Sequence, residues 1–186
     1  MIPDEPQAAG AAAFRWRRVL LLGFMAAGKT TVGELLGDAL RWRFLDGDAE
    51  LVRRSGVSVA EWFRRFGEAA FREEEARVTT ELCALDEVVL APGGGWAVRE
   101  GALAALPPGT AVVWLRVSPE EAVRRACADS EIRPLLAGED PVGTAKRLVA
   151  AREPWYRRAD HVIDVDGRTA AEVASEILGW LRTSSW

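Results

Sequence analysis

Apolar residues follow two rhythms along this chain. Runs at 19–22, 88–91, 111–115 and 162–165 are apolar without alternation, the pattern of strands buried on both faces, and the segments between them repeat apolar positions at helical spacing. A further short strand is expected at 43–46. Helices are expected over 30–40, 49–54, 59–66, 69–85, 119–126, 141–159 and 170–181. Ser118-Pro119-Glu120-Glu121 marks one start clearly, with a serine cap, proline at the first helical position and acids in the first turn. Strands alternating with helices predict an α/β fold of three layers, α/β/α, around a central, mostly parallel five-stranded sheet. Residues 129–140 lack periodicity and hold Pro134 and Gly138, so they read as a mobile loop over the sheet edge, within a lid at about 127–140.

Composition narrows the class without naming a function. The 186 residues suffice for one well-buried domain, placed at 17–186. Residues 1–16 carry Asp4, Glu5, two prolines and an alanine run, which predicts a disordered tail and lacks the basic opening and long apolar core of a secretory signal. A net charge of -4 makes no electrostatic case for nucleic acid, and no stretch approaches the roughly 20 apolar residues that a membrane span needs. Cys83 and Cys127 show no paired spacing, so neither zinc nor a disulfide is expected, and both read as reduced thiols in cytoplasm. The expected partner is a small anionic molecule, bound by a monomer.

The candidate chemistry begins where the first strand ends. Residues 19–22 run into Gly23-Phe24-Met25-Ala26-Ala27-Gly28-Lys29-Thr30, a G-x-x-x-x-G-K-T phosphate loop opening a helix, so the chain is expected to bind ATP or GTP. Only two of the 24 basic residues are lysine, and one of them is Lys29. An ammonium fits inside a ring of backbone N–H groups where a planar guanidinium does not. Ala26, Ala27, Gly28, Lys29, Thr30 and Thr31 would hold the phosphates, with the Thr30 hydroxyl on Mg²⁺.

Other constellations are open when taken singly. Asp46-Gly47-Asp48 places two carboxylates at a strand end, where an acid can hold Mg²⁺ or accept a hydroxyl proton, or where Asp48 simply caps the next helix. Phe71-Arg72-Glu73-Glu74-Glu75 reads most simply as a solvated helix face. Pro92-Gly93-Gly94-Gly95 follows a strand and permits close backbone approach to a ligand. Arg133 in the loop and Arg152 in Arg152-Glu153-Pro154-Trp155-Tyr156 would each pass for surface residues. His161, the single histidine, has no acid placed beside it by the sequence.

Taken together and in this order, these features resemble the shikimate kinase family, from about residue 18 to residue 178. The specific pieces are G-F-M-A-A-G-K-T-T, F-L-D-G-D, E-x-x-F-R-x-x-E from Glu68 to Glu75, the triple glycine, R-P-L-L-A-G from Arg133 to Gly138, and R-E-P-W-Y from Arg152 to Tyr156. The resemblance implies an ATP- and Mg²⁺-dependent kinase that phosphorylates the 3-hydroxyl of shikimate. It implies that Arg72 and Arg152 grip the substrate carboxylate. Asp48 and the backbone at Gly93, Gly94 and Gly95 would read the hydroxyls, Asp48 would orient or deprotonate the attacking one, and Thr30 and Asp46 would hold the metal. Lys29, with Arg133 from the lid, would neutralise the transferring phosphoryl group. Arg125 and Arg168 match positions beside the adenine or its phosphates. The alternatives are a related kinase for another polyol acid such as gluconate, and a nucleotide-binding module without activity.

This chain departs from the family pattern at several points. Ala26 stands where glycine is usual, Trp96 where a small residue is usual, and the stretch from Arg125 to Arg133 is one residue longer. Trp96 is expected to point into the core, with a reshaped acid pocket as the other possibility.

Overall fold

The computed structural model describes residues 15–128 and 139–184. Strands β1 (Arg18–Leu22), β2 (Arg43–Asp46), β3 (Val88–Ala91), β4 (Thr110–Arg116) and β5 (His161–Asp164) form one sheet in the order β2-β3-β1-β4-β5. Every pairing is parallel, so the expected mostly parallel sheet is wholly so. Helices α1 (Lys29–Leu40), α2 (Gly47–Ser55), α3 (Val59–Cys83), α4 (Pro119–Ala128), α5 (Pro141–Tyr156) and α6 (Ala170–Thr183) complete the three layers. No described helix is long and apolar enough to cross a membrane.

The unbroken apolar runs explain the layering. Successive residues of a strand face opposite sides, so Val19 and Leu21 of β1 enter one buried cluster with Leu36 of α1 and Ile177 of α6. Leu20 and Leu22 enter another, with Phe71 and Leu82 of α3 and Tyr156 of α5. Each fully buried leucine contributes on the order of 1.5–3 kcal/mol. The outlier is β5, read from sequence as buried on both faces. It lies at the sheet edge, and Val162 is 37% exposed.

Local chemistry sets the helix ends. The expected break between 66 and 69 is a kink inside α3, where Gly67 takes φ 80° and ψ 170°. α5 stops at Tyr156, short of the expected 159, two residues after Pro154 removes a helical donor. The Ser118 hydroxyl accepts from the Glu121 N–H at 3.2 Å, as its cap pattern predicts. Trp16, assigned by composition to the tail, is buried and stacks on Trp180 with centroids 5.5 Å apart. His161 stacks in turn on Trp180, and its Nε2 lies 3.9 Å from Glu176, an acid supplied by α6. The expected lid loop at 129–138, Arg133 included, lies outside the described residues.

Candidate active site

The carboxyl ends of β1, β2 and β3 lie side by side, and each opens into a segment singled out by sequence. Such an edge is where open parallel sheets bind ligands. After β1 the phosphate loop turns into α1, and Gly28, its N-cap, takes φ 88°. Ala26 also takes a left-handed conformation, φ 58°, which costs a residue bearing a Cβ about 1 kcal/mol. The Lys29 ammonium donates to Gly23 O at 3.0 Å and Phe24 O at 3.2 Å, so it spans the loop from α1 back to its start. Loop amides, helix N-terminus and ammonium together form an anion cradle.

After β2 the two aspartates divide their tasks. Asp46, not Asp48, caps α2, with Oδ1 accepting from the N–H groups of Asp48 and Ala49 at 3.0 and 3.1 Å. Its other oxygen, Oδ2, accepts from the Thr30 hydroxyl at 3.3 Å. A hydroxyl and a carboxylate so placed suit Mg²⁺, which takes one or two protein oxygens and keeps water and phosphate for the rest. Among the described residues no cluster of three or more His, Cys, Asp or Glu could hold a metal ion.

Asp48 projects from the first turn of α2 into a poorly solvated place. Burial, then the charges of Glu75 and Asp46, push its carboxyl up to about 6, against the pull of Lys29 and Arg72. Its Oδ1 is buried without a hydrogen-bond partner, and so is Oε1 of Glu75. The backbone of Gly93 brings these two atoms together: a Cβ added there would lie 1.9 Å from Glu75 Oε1 and 2.8 Å from Asp48 Oδ1.

The triple glycine after β3 gathers the arginines as well. A Cβ at Gly95 would lie 2.6 Å from a terminal nitrogen of Arg72, and one at Gly94 would lie 3.3 Å from a terminal nitrogen of Arg152. Arg72, on α3, donates to Glu75 at 2.8 Å and to Glu68 at 3.5 Å. Arg152, on α5, has its guanidinium carbon 5.5 Å from the Phe24 ring centre and makes no ion pair among the described residues. Both arginines line a cavity of about 400 Å³, with Glu75, Trp96 and Arg99 among its other walls.

The solvated-face reading of 71–75 is therefore corrected in part. Glu73 is exposed, whereas Glu75 is 2% exposed and braces Arg72, because α3 packs that side on the sheet. Glu75 lay inside the E-x-x-F-R-x-x-E pattern, and its i, i+3 spacing from Arg72 was the available signal. Tyr156, the only tyrosine, was also missed as a site residue. Its hydroxyl donates to Gly94 O at 2.6 Å and steadies the loop. Trp96 is buried, as expected, and lines the cavity as well.

The nucleotide-side arginines differ from each other. Arg125 donates to Val165 O at 2.8 Å and reaches Ala26 O at 3.5 Å, directly over the phosphate loop. Glu121 holds it at 2.7 Å, and hydrogen bonds to Arg124 and Arg125 pull the Glu121 carboxyl down to about 2. Arg168 bonds instead to Asp164 O, Glu172 O and the Glu176 carboxylate, along β5 and α6. The structure does not bond it to the phosphate loop.

A parallel α/β sheet, a phosphate loop, a magnesium-type oxygen pair and an arginine-lined cavity define a phosphate-loop kinase acting on small molecules. The family model described as shikimate kinase matches residues 25–182. The chain is 45% identical over 159 residues to a shikimate kinase of Moorella thermoacetica, covering 86% of this chain and 91% of that protein. It is 44% identical over 163 residues to one of Pseudomonas entomophila, covering 87% and 94%. A shikimate kinase from Acinetobacter baumannii, solved in complex with shikimate, superposes with a TM-score of 0.86 at 34% identity, covering 92% of this chain and 97% of that one. The chain belongs to the shikimate kinase family. A gluconokinase from Sinorhizobium meliloti matches with a TM-score of 0.61 at 19% identity, which speaks to the fold alone.

Proposed function

We propose that this protein transfers the γ-phosphoryl group of MgATP to the 3-hydroxyl of shikimate, with ADP and shikimate 3-phosphate as products. The observation that carries this reading is the convergence of Arg72 and Arg152 on one glycine loop, beside a carboxyl and across from the phosphate cradle. A ring acid with three hydroxyls needs a bidentate carboxylate grip at one end and a hydroxyl reader at the other.

Asp48 accepts the proton of the attacking hydroxyl as its oxygen bonds to the γ-phosphorus and the bond from that phosphorus to the bridging oxygen of ADP breaks. A carboxyl pushed up to about 6 is a better base than an ordinary aspartate and is still ionised at neutral pH. Lys29 and the loop amides offset charge on the phosphates, and Arg125 covers the nucleotide side. Arg133 keeps the lid role that its place in the R-P-L-L-A-G motif implies. Thr30 and Asp46 would hold Mg²⁺, which would supply further neutralisation of phosphate charge.

Initial-rate assays of ADP formation test this. Shikimate should support turnover and gluconate should not. Arg152→Ala should raise KM for shikimate by about 10²-fold, the cost of losing a charge-assisted bond of 1.5–3 kcal/mol, and leave KM for MgATP within about twofold. An equal rise in both constants would mean that Arg152 does not face the acid.

A further inference from the structure

Trp96 opens a short 3₁₀ turn, Trp96–Val98, immediately after the triple glycine. Its N–H donates to Gly93 O at 3.0 Å, so the residue closes the loop that carries both arginine contacts. The turn packs against both α3 and α5, the helices that bear Arg72 and Arg152. The indole is 5% exposed and belongs to the same apolar cluster as Phe71 and Tyr156. Phe71 is the chain neighbour of Arg72, and Tyr156 stands one helical turn beyond Arg152, on the same face of α5. Trp96 also lines the cavity that Arg72 and Arg152 share.

We infer that Trp96 sets the width of the acid cavity, acting as a wedge between α3 and α5 so that Arg72 and Arg152 stand at the separation a small, rigid ring acid requires. This inference rests on reading the cavity as the acid site. Close packing is what gives a wedge its effect: a core indole clustered with Phe71 of α3 and Tyr156 of α5 transmits their spacing, and the space left by its removal is filled only in part by movement of its neighbours. Two forked donors recognise one carboxylate only over a narrow range of separation, and a displacement of about 1 Å can cost a hundredfold in rate. Trp96 is thus a positioning and specificity residue for the acid, with no part in nucleotide binding.

The test compares wild type, Trp96→Phe and Trp96→Ala in initial-rate assays with shikimate and with quinate, whose saturated ring carries a further hydroxyl on the carboxyl-bearing carbon. Trp96→Ala should raise KM for shikimate about ten- to a hundredfold, with a smaller change in kcat and KM for MgATP within about twofold. The preference for shikimate over quinate should fall by about tenfold, because a cavity that has lost its indole wall discriminates ring substituents less. Trp96→Phe, which keeps an aromatic wedge, should restore most of the affinity and the preference. Should Trp96→Ala fail to fold, Trp96→Leu carries the same expectations. A variant that melts at lower temperature with acid KM and preference unchanged would overturn the wedge and leave Trp96 as core packing. Equal rises in both Michaelis constants would overturn it too. If the wild-type enzyme forms no ADP with shikimate, the acid-site reading falls and takes the wedge with it.

Discussion

Asp48 sets chemistry against stability. Its carboxyl is raised from 3.8 to about 6, so its contribution to stability is fully present below about pH 3.8 and is lost as pH rises through about 6. At pH 7 the ionised group therefore costs about 3 kcal/mol relative to a neutral one, at 1.36 kcal/mol per pH unit. Asp48→Asn should accordingly raise the unfolding free energy at pH 7 by up to about 3 kcal/mol in denaturant titrations, while kcat falls by 10²-fold or more, roughly the worth of a general base. For the wild-type enzyme kcat/KM should decline below about pH 6, where the base becomes protonated, and a flat profile down to pH 5 would remove Asp48 from the proton transfer. Ala26 carries a smaller cost of the same kind. Ala26→Gly relieves a φ of 58° and should raise the melting temperature, by the equivalent of about 0.5–1 kcal/mol, with MgATP affinity retained. Neither effect was legible as an energy in the sequence. Ala26 could be seen to depart from a glycine pattern, but its dihedral angle could not.

Among the elements, the loop after β3 is the tightest joint. Glu75 and Arg72 from α3 and Asp48 from α2 approach its backbone so closely that a Cβ at Gly93 or Gly95 would collide with them, and Arg152 from α5 would lie in tight contact with a Cβ at Gly94. Gly93→Ala has to displace a buried Glu75 carboxylate braced by Arg72, so it should lower kcat/KM for the acid by about 10²-fold and leave KM for MgATP unchanged in the same assay. Three consecutive glycines at a strand end announced a close approach, but what approached was not in the string. The helix faces repeat the point: Glu73, Glu74 and Glu75 are one residue type in succession, and only Glu75 is sealed against the sheet. Likewise Asp46, at the end of β2, and Asp48, two residues on, are of equal standing in the sequence, and the geometry of the α2 turn made Asp46 the cap and left Asp48 in the site.

Across the whole molecule, function and anchoring occupy opposite edges of the sheet. Arg18 opens β1 at the edge away from the phosphate loop, 5% exposed, where it bonds to Asp86, Leu85 O, Pro108 O and Thr110 Oγ1. Arg18→Ala leaves several of these acceptors without their donor and should lower the unfolding free energy by about 2–4 kcal/mol in urea titrations. At temperatures well below the transition its kcat and both Michaelis constants should stay within about twofold of wild type. A larger kinetic effect would mean that the two edges are coupled through β1.

The sequence by itself determined the strands, the layering they impose, the phosphate loop with its lysine, and the membership of a kinase family. These rest on local chemistry: unbroken apolar runs have nowhere to go but between two helical layers, and a G-x-x-x-x-G-K-T turn needs no distant partner to be recognised. The tertiary structure alone decided that β5 is an edge, that Arg168 turns to α6, that Glu75 and Tyr156 belong to the site, and that Trp96 is core and cavity wall at once. Each of those depends on which element packs across from a residue, and burial, ion pairing and pKa follow from that neighbour and not from spacing along the chain.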